Sequence, residues 1–234
     1  MSDPILFVAA DPRELGEWVK RWENVRPVAL AVNWARAGKW KGRAVAAIAN
    51  GAGADRAFTA TIMAGEISAV CSTGFCGALD PGLKIGDVVV ATEVRNGAQT
   101  HAAEAPGGPP SARGAVMSGA VMSIDHVAQI AAEKKALRAS GGVIVEMEAA
   151  GVARAAEDLG VPFYCVRAVS DLADETFSND FNAALTSDGQ FSVARLVLGA
   201  FGSPQKRFGE LIRLQRRTAL ASKKLGEFLS ECSF

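Results

Sequence analysis

The sequence predicts an α/β domain built on a largely parallel or mixed sheet. Three observations lead there. Short apolar runs of strand length alternate with helical patterns from Ile5 to Asp171. Of the 234 residues, 49% are hydrophobic and 21% charged, which supplies a sizeable core. No internal repeat and no stretch long enough for a linker divides the chain, so residues 1–234 form one domain, with a helical C-terminal tail at about 180–234.

The elements follow in order. Residues 5–10, ILFVAA, read as the first strand. Residues 28–32 and 44–49 read as the next two, with 34–42 as a polar, turn-bearing connection. A helix over 54–65 follows the glycine turn Gly51-Ala52-Gly53. Residues 69–72 form a strand, and Thr73-Gly74-Phe75-Cys76-Gly77 reads as its loop. Residues 87–94 form a strand around VVVA. Residues 95–113, rich in Gly, Pro and Ala with GGPP at 107–110, form a long loop or hairpin. Then come a strand at 114–117, a helix over 125–139, a strand at 143–145, a helix over 148–159 and a strand at 163–170.

Composition narrows the function classes. Lys plus Arg equals Asp plus Glu at 25 each, so no net field favours nucleic acid or an acidic membrane. The cysteines Cys71, Cys76, Cys165 and Cys232 have no zinc spacing, and His101 and His126 are the only histidines, so no metal site is expected. Cys71 and Cys165 lie in apolar strand patterns, as buried thiols of a reducing compartment do. The N-terminal apolar run is too short for a signal peptide and lacks a basic leader. No run reaches the ~20 apolar residues of a membrane span. A cytoplasmic location is expected.

The stretch VEMEAAGVARAAEDLGVPFYCVRAVSDLAD, residues 145–174, is rich in acids and holds only Arg154 and Arg167 as cations. Glu148 lies where an apolar strand meets a helix, and Asp171 ends a strand. Ligands of α/β sheets gather at the carboxyl ends of strands, where Gly74, Glu148 and Asp171 would converge. Helix capping and turn initiation explain the same placements equally well from spacing alone.

VEMEAAGVARAAEDLGVPFYCVRAVSD resembles the signature of the purine nucleoside phosphorylase superfamily, and is most similar to its 5′-methylthioadenosine/S-adenosylhomocysteine nucleosidase branch. STGFCGAL at 72–79 and LKIGDVVV at 83–90 resemble the family's glycine loop and following strand. The resemblance covers roughly residues 5–180. It implies an α/β/α sandwich around a mixed, barrel-like sheet, and cleavage of the N-glycosidic bond between ribose and a purine, without a cofactor. Asp171 would protonate the departing base near N7, with Ser170 orienting it. Glu148 would grip the ribose hydroxyls, and the backbone around Met147 would pack against sugar and base. Glu14, in the first strand-to-helix turn, would position the attacking water. Gly74 and Phe75 belong to the glycine loop. A homodimer is the usual family assembly.

Phosphorylases of this superfamily place an Arg two residues before the loop glycine and a hydroxyl residue after it. Here Ser72 and Phe75 hold those places, which favours water over phosphate. Arg43, Arg56 or Arg95 remain as cations from elsewhere, and the Gly51–Gly53 amides as anion donors. Met122 falls where the family stacks an aromatic ring on the base. Residues 205–229 carry apolar residues near helical spacing among seven lysines and arginines. The simpler reading is a packed helix with a solvated basic face; the sharper one is peripheral contact with an acidic lipid surface.

The first functional expectation is therefore hydrolysis of a 5′-substituted adenosine to release adenine. One alternative is a phosphate-dependent phosphorylase, including one acting on an adenosyl-lipid such as adenosylhopane. Another is a non-catalytic nucleoside-binding protein.

Overall fold

The computed structural model describes residues 3–108, 116–200 and 204–234. The strands are β1 (Ile5–Ala9), β2 (Glu23–Pro27), β3 (Trp34–Trp40), β4 (Arg43–Ala49), β5 (Ala69–Ala78), β6 (Val88–Asn96), β7 (Gln99–Ala102), β8 (Val116–Ser123), β9 (Gly142–Glu146) and β10 (Phe163–Asp171). The helices are α1 (Pro12–Val19), α2 (Ala54–Met63), α3 (Ala131–Ala139), α4 (Ala149–Leu159), α5 (Phe181–Ala184), α6 (Val193–Ala200) and α7 (Pro204–Leu229).

The ten strands form one mixed sheet in the order β10-β6-β8-β9-β5-β1-β4-β3-β2, with β7 beside β6. A further pairing of β10 with β5 closes β10, β6, β8, β9 and β5 into a barrel. Strands β1, β4, β3 and β2 extend from β5 as a flap, so the expected mixed, barrel-like sheet is present. Its strands read as continuous apolar runs because both faces are covered: β1 and β9 are buried at every residue. Helices α2 and α4 pack closely. A methyl group on Gly151 would collide with the backbone carbonyl of Ala54.

The structure departs from expectation in several places, among them the unexpected strand β2 and the extension of β8 to Ser123. Residues 28–32 are not a strand: Val28, Leu30 and Val32 pack against the core, and only the Val28 N–H reaches β3, at the Ala35 carbonyl. Residues 34–40, expected as a connection, form β3, antiparallel to β4. Their hairpin turns on Lys41 (φ 48°) and Gly42 (φ 78°), the two positive-φ positions such a tight turn requires. The charges in β3 suit a strand near the sheet's edge. Residues 73–77, expected as a loop, continue β5, which stays paired with β10 up to Gly77. Here glycine marks close approach of neighbouring groups, not a chain reversal. The helix expected over 125–139 begins at Ala131.

Of the Gly- and Pro-rich stretch 95–113, the first part is the β6–β7 hairpin. Residues 109–113, and the start of the strand expected at 114–117, lie outside the described residues. The tail is helical as expected. Helix α7 packs against α1 and β10 and buries Ala221, Leu225 and Leu229 completely. All four cysteines are buried and free.

Candidate active site

A cavity of about 360 Å³ opens where the β1–α1 turn, β5, β9 and the end of β10 meet. Glu14, Phe75, Met147, Glu148, Ser170 and Asp171 all line it. The strand ends thus converge as the sheet logic requires.

Glu14 sits in the first turn of α1, buried with 5% of its surface exposed. Its Oε2 accepts from the backbone N–H groups of Ala10 and Asp11, both at 2.9 Å, closing a capping box with Asp11. Its Oε1 accepts from the Phe75 N–H at 2.7 Å, across the sheet. Gly74 does not line the cavity. It has φ 140°, and a Cβ there would stand 2.5 Å from Glu14 Oε1 and 3.0 Å from an Arg167 nitrogen. Its bareness lets both groups meet over β5.

Arg167 lies opposite Gly74 in the β10–β5 register and is completely buried. Its guanidinium pairs with Glu146 Oε2, with Glu148 Oε2 at 3.2 Å, and donates to Ser72 Oγ at 2.7 Å. Burial disfavours its charge, but Glu146 and Glu148 outweigh that and raise its pKa further. Three buried carboxylates, Glu14, Glu146 and Glu148, therefore surround one cation. The imbalance falls on Glu148, pushed up to about 8 by burial and by its acidic neighbours, against the pull of Arg167. Burial also raises Glu14, with Arg167 opposing.

The capping role suggested for Glu148 belongs to Glu146, whose Oε2 accepts from the N–H groups of Glu148 and Ala149 at 2.9 Å each. Glu148 is thereby left facing the cavity, with Oε1 accepting from the Gly53 N–H at 3.3 Å.

Asp171 ends β10 beside Gly77, where a Cβ would stand 2.8 Å from its Oδ2. Oδ1 accepts from Ser170 Oγ at 2.9 Å, and Oδ2 pairs with Lys134. Burial raises the Asp171 pKa, and Lys134 opposes the rise.

Met122 does not join these residues. It packs beside Leu79, Ala128 and Val145, outside the lining of the cavity. The cations expected from elsewhere are engaged elsewhere: Arg43 with the Phe234 carbonyl, Arg56 with that of Ser187, Arg95 with Glu93 and Ser140.

Two features escaped sequence reasoning. Arg167 and Lys134, the buried partners of the acids, look like ordinary strand and helix residues, and only the register of β10 and the inward face of α3 reveal them. Much of the remaining cavity wall is apolar: Phe177, Phe181, Phe191, Leu196, Leu211 and Leu214 come from the segment after β10, from α5, from the α5–α6 connection, and from α6 and α7. Glu175 pairs with Arg213 at 2.9 Å and Arg217 at 2.6 Å. The face of α7 expected to be solvated thus spends two of its basic residues on holding this segment.

A family model described as the phosphorylase superfamily matches residues 4–200. A 5′-methylthioadenosine/S-adenosylhomocysteine nucleosidase of Glaesserella parasuis serovar 5 (strain SH0165) is 32% identical over 145 residues, 50% of this chain and 61% of that protein, so the match spans less than two thirds of that relative. One of Haemophilus influenzae (strain 86-028NP) is 30% identical over 195 residues, 69% of this chain and 82% of that protein. The fold is similar to that of the S. pneumoniae nucleosidase solved with a transition-state inhibitor, MT-ImmA: TM-score 0.73, 18% identity, 97% of each chain covered. It is similar also to a futalosine hydrolase mutant of Helicobacter pylori strain 26695: TM-score 0.70, 18% identity, 98% of this chain and 97% of that one. With such coverage the helices after Asp180 are matched within the shared fold.

Proposed function

The chain belongs to the phosphorylase superfamily, and from that premise we propose that it is a nucleosidase, hydrolysing the N-glycosidic bond of a 5′-substituted adenosine to release adenine. Asp171 gives a proton to the departing purine at N7, its carboxyl oriented by Ser170. Glu148 accepts from the ribose hydroxyls where positive charge develops. Glu14 orients the attacking water, and Met147 and Phe75 flank the sugar. No cofactor enters this scheme. A cytoplasmic homodimer is the assembly we propose.

The observation that carries the choice of water is the state of Arg167. A phosphate dianion needs a cation with donors to spare. The two terminal nitrogens of Arg167 are committed to Glu146, Glu148 and Ser72, and Glu14 stands against the same site. The remaining Nε of Arg167 is buried, and Arg167 does not line the cavity. Arg13, which does line it, is paired with Asp11. A dianion would meet carboxylates there, whereas a water would find acceptors. The apolar wall from α5, α6 and α7 favours a second reading of the substrate: a bulky apolar 5′ substituent, as in an adenosyl-lipid such as adenosylhopane, with the exposed basic residues of α7 near an acidic lipid surface.

Adenine release from methylthioadenosine, adenosylhomocysteine and adenosine, with and without phosphate, tests the proposal. Release without phosphate supports it. Release that requires phosphate replaces it with a phosphorylase. Tight binding without release points to a nucleoside-binding protein.

A further inference from the structure

Lys134 has no exposed surface. It lies in α3, whose sequence AAEKKALRA carries two adjacent lysines, of which Lys134 alone turns fully inward. Its Nζ pairs with Asp171 Oδ2, donates to the Leu172 carbonyl at 2.7 Å and stands 5.3 Å from the centroid of the Phe177 ring. A carboxylate, a carbonyl and an aromatic face thus share its three N–H groups. Burying an ammonium is costly, and a fixed carboxylate partner offsets that cost. Lys134 does not line the cavity; it stands behind Asp171.

We propose that Lys134 is a positioning residue that fixes the aim of the Asp171 carboxyl and governs when it carries a proton. The inference rests on the reading of Asp171 as the acid that serves the departing base. Lys134 on Oδ2 and Ser170 on Oδ1 together prevent the carboxyl group from rotating.

The other charged groups nearby are accounted for. Glu175, in the segment after β10, is neutralised by Arg213 and Arg217 of α7. Cys76 on β5 has its thiol raised well above the ordinary range by burial, so it is uncharged. Glu133 on α3 pairs with His126, which also contacts Asp125. Arg167, earlier on β10, is held by Glu146 and Glu148 of the β9–α4 junction. Among the described residues, Lys134 is the cation in contact with Asp171.

The sign follows. An acid must be protonated to act, so the rate falls as pH rises through its pKa. Lys134 favours the ionised carboxylate. Removing its charge leaves only the Ser170 hydrogen bond to oppose burial, and Asp171 holds its proton to higher pH. An opposite charge at this range moves a carboxyl by about one to three pH units.

The test uses the full chain with Lys134→Met, which keeps the side-chain volume, and Lys134→Gln, which keeps a donor but loses the charge. Two readouts are taken: the pH dependence of kcat/KM for adenine release, and titration of carbon-13-labelled aspartate carboxyls, with Asp171→Asn identifying the signal of Asp171. We expect both the alkaline limb and the Asp171 titration to move up by about one unit or more. Lys134→Arg should restore the wild-type midpoint while lowering kcat. A slower enzyme with an unmoved limb and an unmoved Asp171 titration would overturn the proposal and leave Lys134 a packing residue. If the wild type releases no base from any nucleoside, the hydrolase reading fails, and the carboxyl titration alone decides the role of Lys134.

Discussion

Glu148→Gln exposes the electrostatic imbalance around Arg167. Folding moves Glu148 from its ordinary 4.5 to about 8. In the folded protein the group is protonated at neutral pH; in the unfolded chain it is ionised. The folded state therefore binds more protons between these values, and stability falls as pH rises through that window. The gap is about 3.5 pH units, and at about 1.36 kcal/mol per unit the ceiling is roughly 5 kcal/mol. Relaxation around buried charges, which gives them an effective dielectric well above that of dry protein, brings the expected loss down to about 2–3 kcal/mol. The glutamine side chain mimics the protonated form of Glu148 at every pH. Below pH 5 the variant should match or fall slightly below wild type, because the amide fits the Gly53 N–H and Arg167 less well than a carboxyl does. Above pH 8.5 it should be the more stable of the two. At about 2–4 °C per kcal/mol for a chain of this size, the difference in Tm should change by roughly 4–12 °C between pH 5 and pH 9. Calorimetric melts across that range measure it. A difference in Tm that stays flat with pH would refute the claim that burial among acids, and not some feature of packing, sets the state of Glu148.

Asp171→Asn should slow base release by about 10²–10⁴-fold. It should also cost roughly 3–5 kcal/mol of stability, because Lys134 loses its buried carboxylate; adding Lys134→Met should recover stability without activity, as melts and adenine assays will show, and retained turnover would remove Asp171 from the mechanism. Glu14→Gln should block turnover yet leave nucleoside binding measurable by calorimetry; survival of activity here, with loss on Asp11→Asn, would shift the water-positioning role to Asp11. Glu210 on α7 is 2% exposed and accepts from the Ser178 and Asn179 N–H groups at 2.8 Å each. Glu210→Ala should destabilise by about 2 kcal/mol or more through the donors left unpaired, and should raise KM more than it lowers kcat; unchanged kinetics would show that the segment bearing Phe177 needs no anchoring by α7.

The acids were legible in the sequence because their positions are set by strand ends, and strand ends are set by apolar runs. Asp171 follows an apolar run that includes Val166, Ala168 and Val169, and Glu148 follows Val143–Val145. What the sequence concealed is pairing across the sheet. Arg167 becomes the partner of three acids only through the register that sets it opposite Gly74, and register is a long-range property. The β2–β3 region misleads for a related reason. Residues 28–32 are apolar because they cover the core, while β3 is a strand because β4 offers it a ladder, despite its charges. Burial and strand pairing usually coincide, and here they part. Met122 illustrates the same limit from the other side: matching a motif position gave it a place in the chain, but the packing of Leu79, Ala128 and Val145 decides where its side chain goes.

The distribution of buried cations argues further about how such a site works. Glu14, Glu146 and Glu148 share Arg167, while Asp171 has Lys134 to itself. Each cation lies deeper than the acids it serves: neither Arg167 nor Lys134 has any exposed surface or lines the cavity. At this end of the cavity a ligand therefore meets carboxyl groups, backbone and the side chains of Arg13 and His126, each of which is already paired with acids, Arg13 with Asp11 and His126 with Asp125 and Glu133. That arrangement suits a reaction in which the sugar becomes cationic and the base departs as an anion that must be protonated. Acids toward the sugar stabilise the first, and a single carboxyl with a private cation manages the second. Adding a cation with no acid partner to the cavity would invert the preference and welcome an anionic nucleophile. A Ser72→Arg variant, which adds a guanidinium where Arg167 now donates to Ser72 Oγ at 2.7 Å, carries that change and displaces Arg167 from its acids. Such a variant loses hydrolysis without gaining phosphorolysis, since Glu14 and Glu146 still oppose the dianion. Only removing Glu14 as well should let phosphate accelerate base release.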